Sequence, residues 1–134
     1  MPFSTEIAFP CKKLASTESA LSALSDLQAA PALARQLSDF SHQLATSGLS
    51  GESTTRIISG LNDRLTARII ELTARQHRLP PVPWCWLALG SEGRHEQTFV
   101  TDQDNGLIFS AADRQEADAL REIFLPFAQQ VNQH

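Results

Sequence analysis

The stretch from Trp84 to Leu107, WCWLALGSEGRHEQTFVTDQDNGL, constrains what this chain can fold into more than any other part of it. It opens on an apolar run, Trp84 to Leu89, bounded by Pro83 and Gly90. A run this short, aromatic at its start, favours a buried strand over a helix. Gly90 ends it, where the lack of a Cβ lets the backbone turn sharply and come close to a ligand. Ser91 can cap a short helix through Glu92 to Thr98, whose first N–H groups face outward, ready for an anion such as phosphate. A second strand is expected over Asp102 to Phe109, and alternation along it puts Asp102 and Asp104 on one face and Gln103 on the other. Two convergent carboxylates are costly unless a cation lies between them, and oxygen-only ligation with room for phosphate oxygens and water suits Mg²⁺. For Gly90-Ser91 and Asp102 to reach one triphosphate, the two strands should be antiparallel neighbours with their site ends together. The residues from Glu92 to Thr101 can span that connection.

Each residue also has a plainer reading. Asp102-Gln103-Asp104-Asn105-Gly106 taken alone favours a polar turn, because Asn-Gly is a strong hairpin signal. A calcium loop of the EF-hand type would need glycine at its sixth position, where Leu107 stands. Ser91 alone is a helix cap, Arg94 alone a solvated or salt-bridged residue, and Gly90 with Gly93 a bare pair of glycines. Joint occurrence at this spacing, after a strand-like run, lifts the site reading above these alternatives. His95 receives no catalytic role, and the remaining histidines and the two cysteines, Cys11 and Cys85, show no zinc-ligand spacing.

At these residues the chain resembles the polymerase-beta-like nucleotidyltransferases, whose fingerprint is Gly-Ser, a spacer of about this length, and Asp-x-Asp on the next strand. Leu89-Gly90-Ser91-Glu92-Gly93-Arg94, Glu96-Gln97-Thr98 and Thr101-Asp102-Gln103-Asp104-Asn105 are similar to a bacterial branch related to the N-terminal region of the PII-protein uridylyltransferase. Leu61-Asn62-Asp63-Arg64-Leu65-Thr66, on the preceding helix, fits that branch too. The resemblance implies that Gly90 and Ser91 hold the nucleotide's phosphates and that Asp102 and Asp104 are the catalytic, Mg²⁺-binding pair. Arg94 is added from spacing and charge, since its forked guanidinium can reach a phosphate from the same short helix. The implied chemistry is in-line attack of an acceptor hydroxyl on the α-phosphate, with pyrophosphate leaving.

The chain departs from the superfamily pattern in two places. A third carboxylate usually comes from a later strand, whereas the residues after Phe109 read as a helix opened by a capping box, Asp113 with Glu116. Leu120, Ile123, Phe124 and Phe127 give that helix its apolar face, and Pro126 is expected to bend or interrupt it. The residue between the aspartates, often apolar in the wider superfamily, is Gln103. Gln103, with Asn105 after it, belongs to the closer branch and weakens the substrate analogy with the wider superfamily. The third carboxylate not being evident supports a rival reading, a nucleotide-sensing or protein-interaction module that keeps the fold without catalysis, and predicts that the 134-residue chain alone does not complete the reaction.

Before the motif the chain reads as helical. Thr17 to Ala29, Ala32 to Thr46 and Glu52 to Arg78 carry leucine, isoleucine and phenylalanine at helical spacing, with Pro31 and the stretch Ser47 to Gly51 separating them. Asn62, Asp63, Arg64 and Arg68 form either an exposed polar face with local ion pairs or a buttress for the site. Pro80, Pro81 and Pro83 stop the third helix and stiffen the entry into the first strand.

The expected fold is α+β: an N-terminal helical region over 1–80, followed over 81–134 by the first part of a nucleotidyltransferase-like core with two antiparallel strands. Two strands are too few for a self-sufficient sheet, so further domains or a partner should cover its edge. Lys and Arg number 11 against 15 Asp and Glu and are dispersed, which argues against nucleic acid and leaves a regulatory protein or a small molecule as acceptor beside the nucleoside triphosphate. Two cysteines far apart, an N-terminus without an apolar signal core and no membrane-length apolar run point to a cytoplasmic protein.

Overall fold

The computed structural model describes residues 5–89 and 105–133, and the architecture is mostly helical α+β. Four helices are described: α1 (Thr5–Ala23), α2 (Ala30–Ala45), α3 (Gly51–Gln76) and α4 (Arg114–Asn132). A single 3₁₀ turn, Leu27–Ala29, joins α1 to α2, and two strands, β1 (Trp84–Ala88) and β2 (Asn105–Phe109), lie between α3 and α4.

The first helix is not where periodicity alone puts it. The run Leu21, Leu24, Leu27 suggests one helix from Thr17 to Ala29, but α1 stops at Ala23 and the leucine stripe continues into the 3₁₀ turn. Asp26 causes the restart: its carboxylate accepts the N–H of Gln28 at 2.9 Å, an N-cap that competes with continued helix. Pro31 is likewise not a separator but lies in the first turn of α2, where its missing N–H has no helical partner to lose. At the other end of α2, Gly48 takes a φ of 87°, which a side chain would disfavour, and reverses the chain. Ser50 then caps α3 by accepting the N–H of Ser53 at 3.1 Å.

The longest helix, α3, packs against α1, α2 and α4. Its buried stripe, Ile58, Leu61, Leu65, Ile69 and Leu72, faces Leu21, Leu24 and Leu27, then Leu33, Leu37, Phe40 and Leu44 of α2, then α4, in one continuous core. That core spans both sides of residue 80. Each fully buried side chain of this kind contributes roughly 1.5–3 kcal/mol of transfer free energy before entropy is subtracted. Arginines of α3 secure the end of α1. Arg68 Nε donates to the carbonyl of Leu24 at 2.6 Å, and Arg64 lies 3.4 Å from Glu18. An otherwise orphaned carbonyl beyond the last turn of α1 thus gains a cationic donor.

Asp113 caps α4 as expected, while the return bond from Glu116 reaches the N–H of the residue before the cap. Asp113 accepts the N–H of Glu116 at 2.8 Å, and the Glu116 carboxylate accepts the N–H of Ala112 at 3.0 Å. The expected interruption at Pro126 does not occur, since α4 continues through it to Asn132. Its buried face is Leu120, Phe124, Phe127 and Val131; Ile123, expected on that face, is 42% exposed. The steps of four, three and four residues keep one stripe in register with a helix of 3.6 residues per turn, and Ile123 falls beside it. None of the described helices is long and apolar enough to cross a membrane.

Candidate functional site

The two strands pair antiparallel, with Trp84 opposite Phe109, Trp86 opposite Leu107, and Ala88 opposite Asn105. The Ser110 N–H adds a rung by donating to the Pro83 carbonyl at 2.9 Å. The C-terminal end of β1 and the N-terminal end of β2 therefore lie side by side, as the sequence pattern requires of strands that serve one ligand. Five residues of β2 follow directly on Asp104, and β1 ends two residues before Gly90. The residues singled out from sequence, Gly90, Ser91, Arg94, Asp102 and Asp104, lie outside the described residues, as does the expected helix over Glu92 to Thr98.

Asn105 and Gly106 do not form the hairpin turn that their sequence suggests in isolation. Both lie inside β2, where Gly106 pairs with Leu87, and among the described glycines only Gly48 has a positive φ. A type I′ turn needs φ above zero at both central positions, so cross-strand pairing has overridden the local turn preference.

The two faces of the sheet differ sharply. Trp84, Trp86, Leu107 and Phe109 pack against the core, where Phe124 and Phe127 of α4 receive them. Phe127 meets Trp84 edge-on at 5.4 Å between centroids and Trp86 at 6.3 Å, distances at which aromatic pairs add to simple burial. On the opposite face Cys85 is exposed and Ile108 is 56% exposed. A shallow hollow of about 300 Å³ lies at the end of the sheet away from Ala88 and Asn105, lined by Pro83, Trp84, Cys85, Ile108, Phe109 and Ser110. Among the described residues no group of three or more His, Cys, Asp or Glu converges as a metal site.

The start of β2 is tied to the end of α4. Asn105 Nδ2 donates to Asn132 Oδ1 at 2.8 Å, and Asn132 Nδ2 donates back to Asn105 Oδ1 at 3.3 Å and to the Ala128 carbonyl at 3.0 Å. Two residues earlier on the same helix, Gln130 accepts from His77 Nε2 and donates to Gln76 Oε1 at 3.0 Å. Neither Asn132 nor Gln130 carries a local sequence signal, because their partners lie 27 and more than 50 residues away.

The polar residues of α3 divide. Arg64 and Arg68 serve the junction with α1, beside a cavity of about 340 Å³ lined by Leu21, Ser22, Arg64, Ala67, Arg68 and Glu71. Glu71 takes Arg68 at 2.9 Å and Arg75 at 2.7 Å. The Arg68 hydrogen bond foremost holds its carboxyl below the ordinary value, with Arg75 assisting and partial desolvation opposing. This cluster combines the local ion pairs expected of an exposed face with an anchoring role toward α1. Asn62 and Asp63 are half-buried.

No curated protein and no solved structure matches this chain. A family model does match, over residues 35–134, from the middle of α2 through both strands to the end of the chain. With an α+β core that brings the two motif-bearing strand ends together, the chain belongs to the family described as "Putative nucleotidyltransferase DUF294".

Proposed function

We propose that the chain serves Mg²⁺-dependent nucleotidyl transfer, with Asp102 and Asp104 as the metal-holding pair and Gly90, Ser91 and Arg94 as phosphate ligands. The observation that carries this reading is the register of the sheet, in which Ala88 sits opposite Asn105. The two strand ends to which the motif residues are joined in sequence are thus direct partners, about 5 Å apart as antiparallel neighbours. The donor chemistry fits as well: two carboxylates and phosphate oxygens are hard ligands of the kind Mg²⁺ takes.

Extending the alternation of β2 backwards supports the assignment of faces. Leu107 and Phe109 point to the helices and Ile108 to the open side; strand alternation continued in sequence would assign Asp104 and Asp102 the parity of Ile108 and Gln103 that of Leu107. A nucleotide can approach the open side without displacing the aromatic core. The backbone N–H groups after Gly90 and the guanidinium of Arg94 would neutralise the β- and γ-phosphates, which improves pyrophosphate as a leaving group. The acceptor oxygen forms a bond to the α-phosphorus as the bond to the bridging oxygen breaks, and its proton passes to solvent or a nearby base. Bound Mg²⁺ would supply charge neutralisation at the phosphates.

In finer detail, similarity to the PII-uridylyltransferase branch favours a uridylyl or adenylyl donor and a regulatory protein as acceptor. The dispersed basic residues favour such an acceptor over nucleic acid. A second reading is a nucleotide sensor without turnover, for which the support is that no third acidic group joins a metal-holding cluster among the described residues. One screen separates the two. Each of the four nucleoside triphosphates is titrated with Mg²⁺ while binding and pyrophosphate release are followed. Binding with release, by this chain or by a form extended at its C-terminus, supports transfer; binding without release by both supports the sensor, and no binding of any nucleotide overturns both.

A further inference from the structure

We propose that the cavity between α1 and α3 is a binding site for a small organic oxyanion, a phosphate or carboxylate group carried on an apolar body. The cavity is about 340 Å³ and is lined by Leu21 and Ser22 of α1 and by Arg64, Ala67, Arg68 and Glu71 of α3. It uses no residue of either strand, so it stands apart from the proposed nucleotide site. Arg64 and Arg68 are four residues apart on one helix, which puts them on the same face, one turn after the other. Arg68 is the fixed member. Its Nε donates to the Leu24 carbonyl at 2.6 Å and its Nη1 to Glu71 at 2.9 Å, while its Nη2 has no partner among the described residues. A guanidinium held on two sides has already lost the rotamer freedom that binding would otherwise cost. Arg64 is the loose member. Glu18 stands 3.4 Å from it, beyond the about 2.7–2.9 Å of a charge-assisted hydrogen bond, and the Arg64 side chain is 58% exposed. An exposed pair of this kind adds little stability, so Arg64 can turn from Glu18 to a ligand at small cost.

The local charge favours an anion. Glu71 is shared between Arg68 at 2.9 Å and Arg75 at 2.7 Å, so two cations meet one carboxylate beside the cavity. The chain as a whole carries a formal charge of -4, so this positive excess is a local feature. The Leu24 carbonyl, which would repel an anion at the end of α1, is covered by Arg68. The rest of the lining is largely apolar, with Leu21, 3% exposed, at its base and Ala67 beside the two arginines. An oxyanion with a hydrocarbon body covers both kinds of surface, whereas a bare ion covers one.

The test is an NMR titration of the 134-residue chain with phenyl phosphate, and separately with benzoate, at an ionic strength held constant with chloride. The Arg68 Nε–H and the Ser22 amide are the reporters, and both should shift together and saturate. Saturation by either ligand supports the site, and the tighter of the two identifies the oxyanion it prefers. Arg64→Gln should weaken binding about tenfold, the scale of one hydrogen bond to a charged group, with Tm nearly unchanged. Glu18→Gln, which releases Arg64, should strengthen it about threefold, the scale of a unit charge a few ångströms away in water. Arg35→Gln removes the same charge from an exposed position on α2, outside the cavity, and should change nothing. Shifts that rise without saturation for both ligands, unchanged binding in Arg64→Gln, or equal losses in Arg64→Gln and Arg35→Gln each overturn the site. Inorganic phosphate should bind more weakly than phenyl phosphate, and equal affinity for the two overturns the part given to the apolar lining.

Discussion

Phe109 stacks on Phe124 with ring centroids 5.0 Å apart and planes 15° from parallel. This contact decides which face of β2 is covered, and thereby which face is left for chemistry. Phe109 shares its side of the strand with Leu107, so everything of the other parity, Ile108 included, faces outward.

Removing the ring from α4 should therefore cost more than core volume. Phe124 is 2% exposed and touches both Trp84 and Phe109. Phe124→Ala is expected to destabilise the protein by about 3–5 kcal/mol. Ile123→Ala, one residue away but 42% exposed, should cost under about 1 kcal/mol. Urea denaturation of both variants checks the contrast; similar losses would mean that the buried stripe of α4 has been misplaced.

The sequence made some of this architecture visible and hid the rest for identifiable reasons. Helical spacing located α2 and α3 to within two residues of their observed ends, and the Asp113–Glu116 box marked the start of α4, which runs past Pro126 to Asn132. Local signals misled where tertiary contacts outweighed them. Asn105-Gly106 reads as a turn but pairs as strand, and the leucine stripe of α1 continues past a helix that Asp26 has already ended. The candidate site was legible as a pattern of Gly90, Ser91, Asp102 and Asp104, and the pairing of Ala88 with Asn105 agrees with the strand arrangement that pattern requires. Asn132 was not legible, because an amide at a helix end acquires meaning only from a partner 27 residues earlier.

Thr73 offers a direct test of packing. It is fully buried in α3, and its hydroxyl has no hydrogen-bond partner among the described residues. A buried hydroxyl left unpaired carries a desolvation cost, whereas valine fills nearly the same volume without one. Thr73→Val should raise stability by about 1 kcal/mol, with similar helix propensity on both sides of the change. A lower Tm for the variant would show that the hydroxyl is satisfied in solution.

The Glu71 cluster predicts a pH effect with a definite sign. Its carboxyl is held below the ordinary value of 4.5 in the folded protein, chiefly by Arg68. A depressed folded value means that the ionised form favours the native state. The contribution is therefore complete above the ordinary value and disappears as pH falls through the folded one. Both partners are solvated, so the effect is modest and screened by salt. The Tm difference between the wild type and Glu71→Gln should stay constant near neutral pH and close on acidification below 4.5. A difference that widens in acid would contradict the assignment.

The sharpest prediction concerns Asp102 and Asp104. If they share a cation on the open side of the sheet, each is a like-charged neighbour of the other whenever that cation is absent. Neutralising one then has opposite effects on binding and on folding. Asp102→Asn or Asp104→Asn should weaken Mg²⁺-dependent nucleotide binding by more than about tenfold, the scale already seen when only a metal ligand's supporting partner is lost. In the metal-free protein the same change removes repulsion, so Tm should be unchanged or higher. A capping or turn role predicts the reverse, because an aspartate that accepts backbone N–H groups stabilises the fold and contributes nothing to the nucleotide. Isothermal titration with Mg²⁺ and each triphosphate, paired with thermal melts in chelator, reads both quantities on the same variants. Unchanged nucleotide affinity together with a lower melting temperature would assign these carboxylates to the turn and not to catalysis.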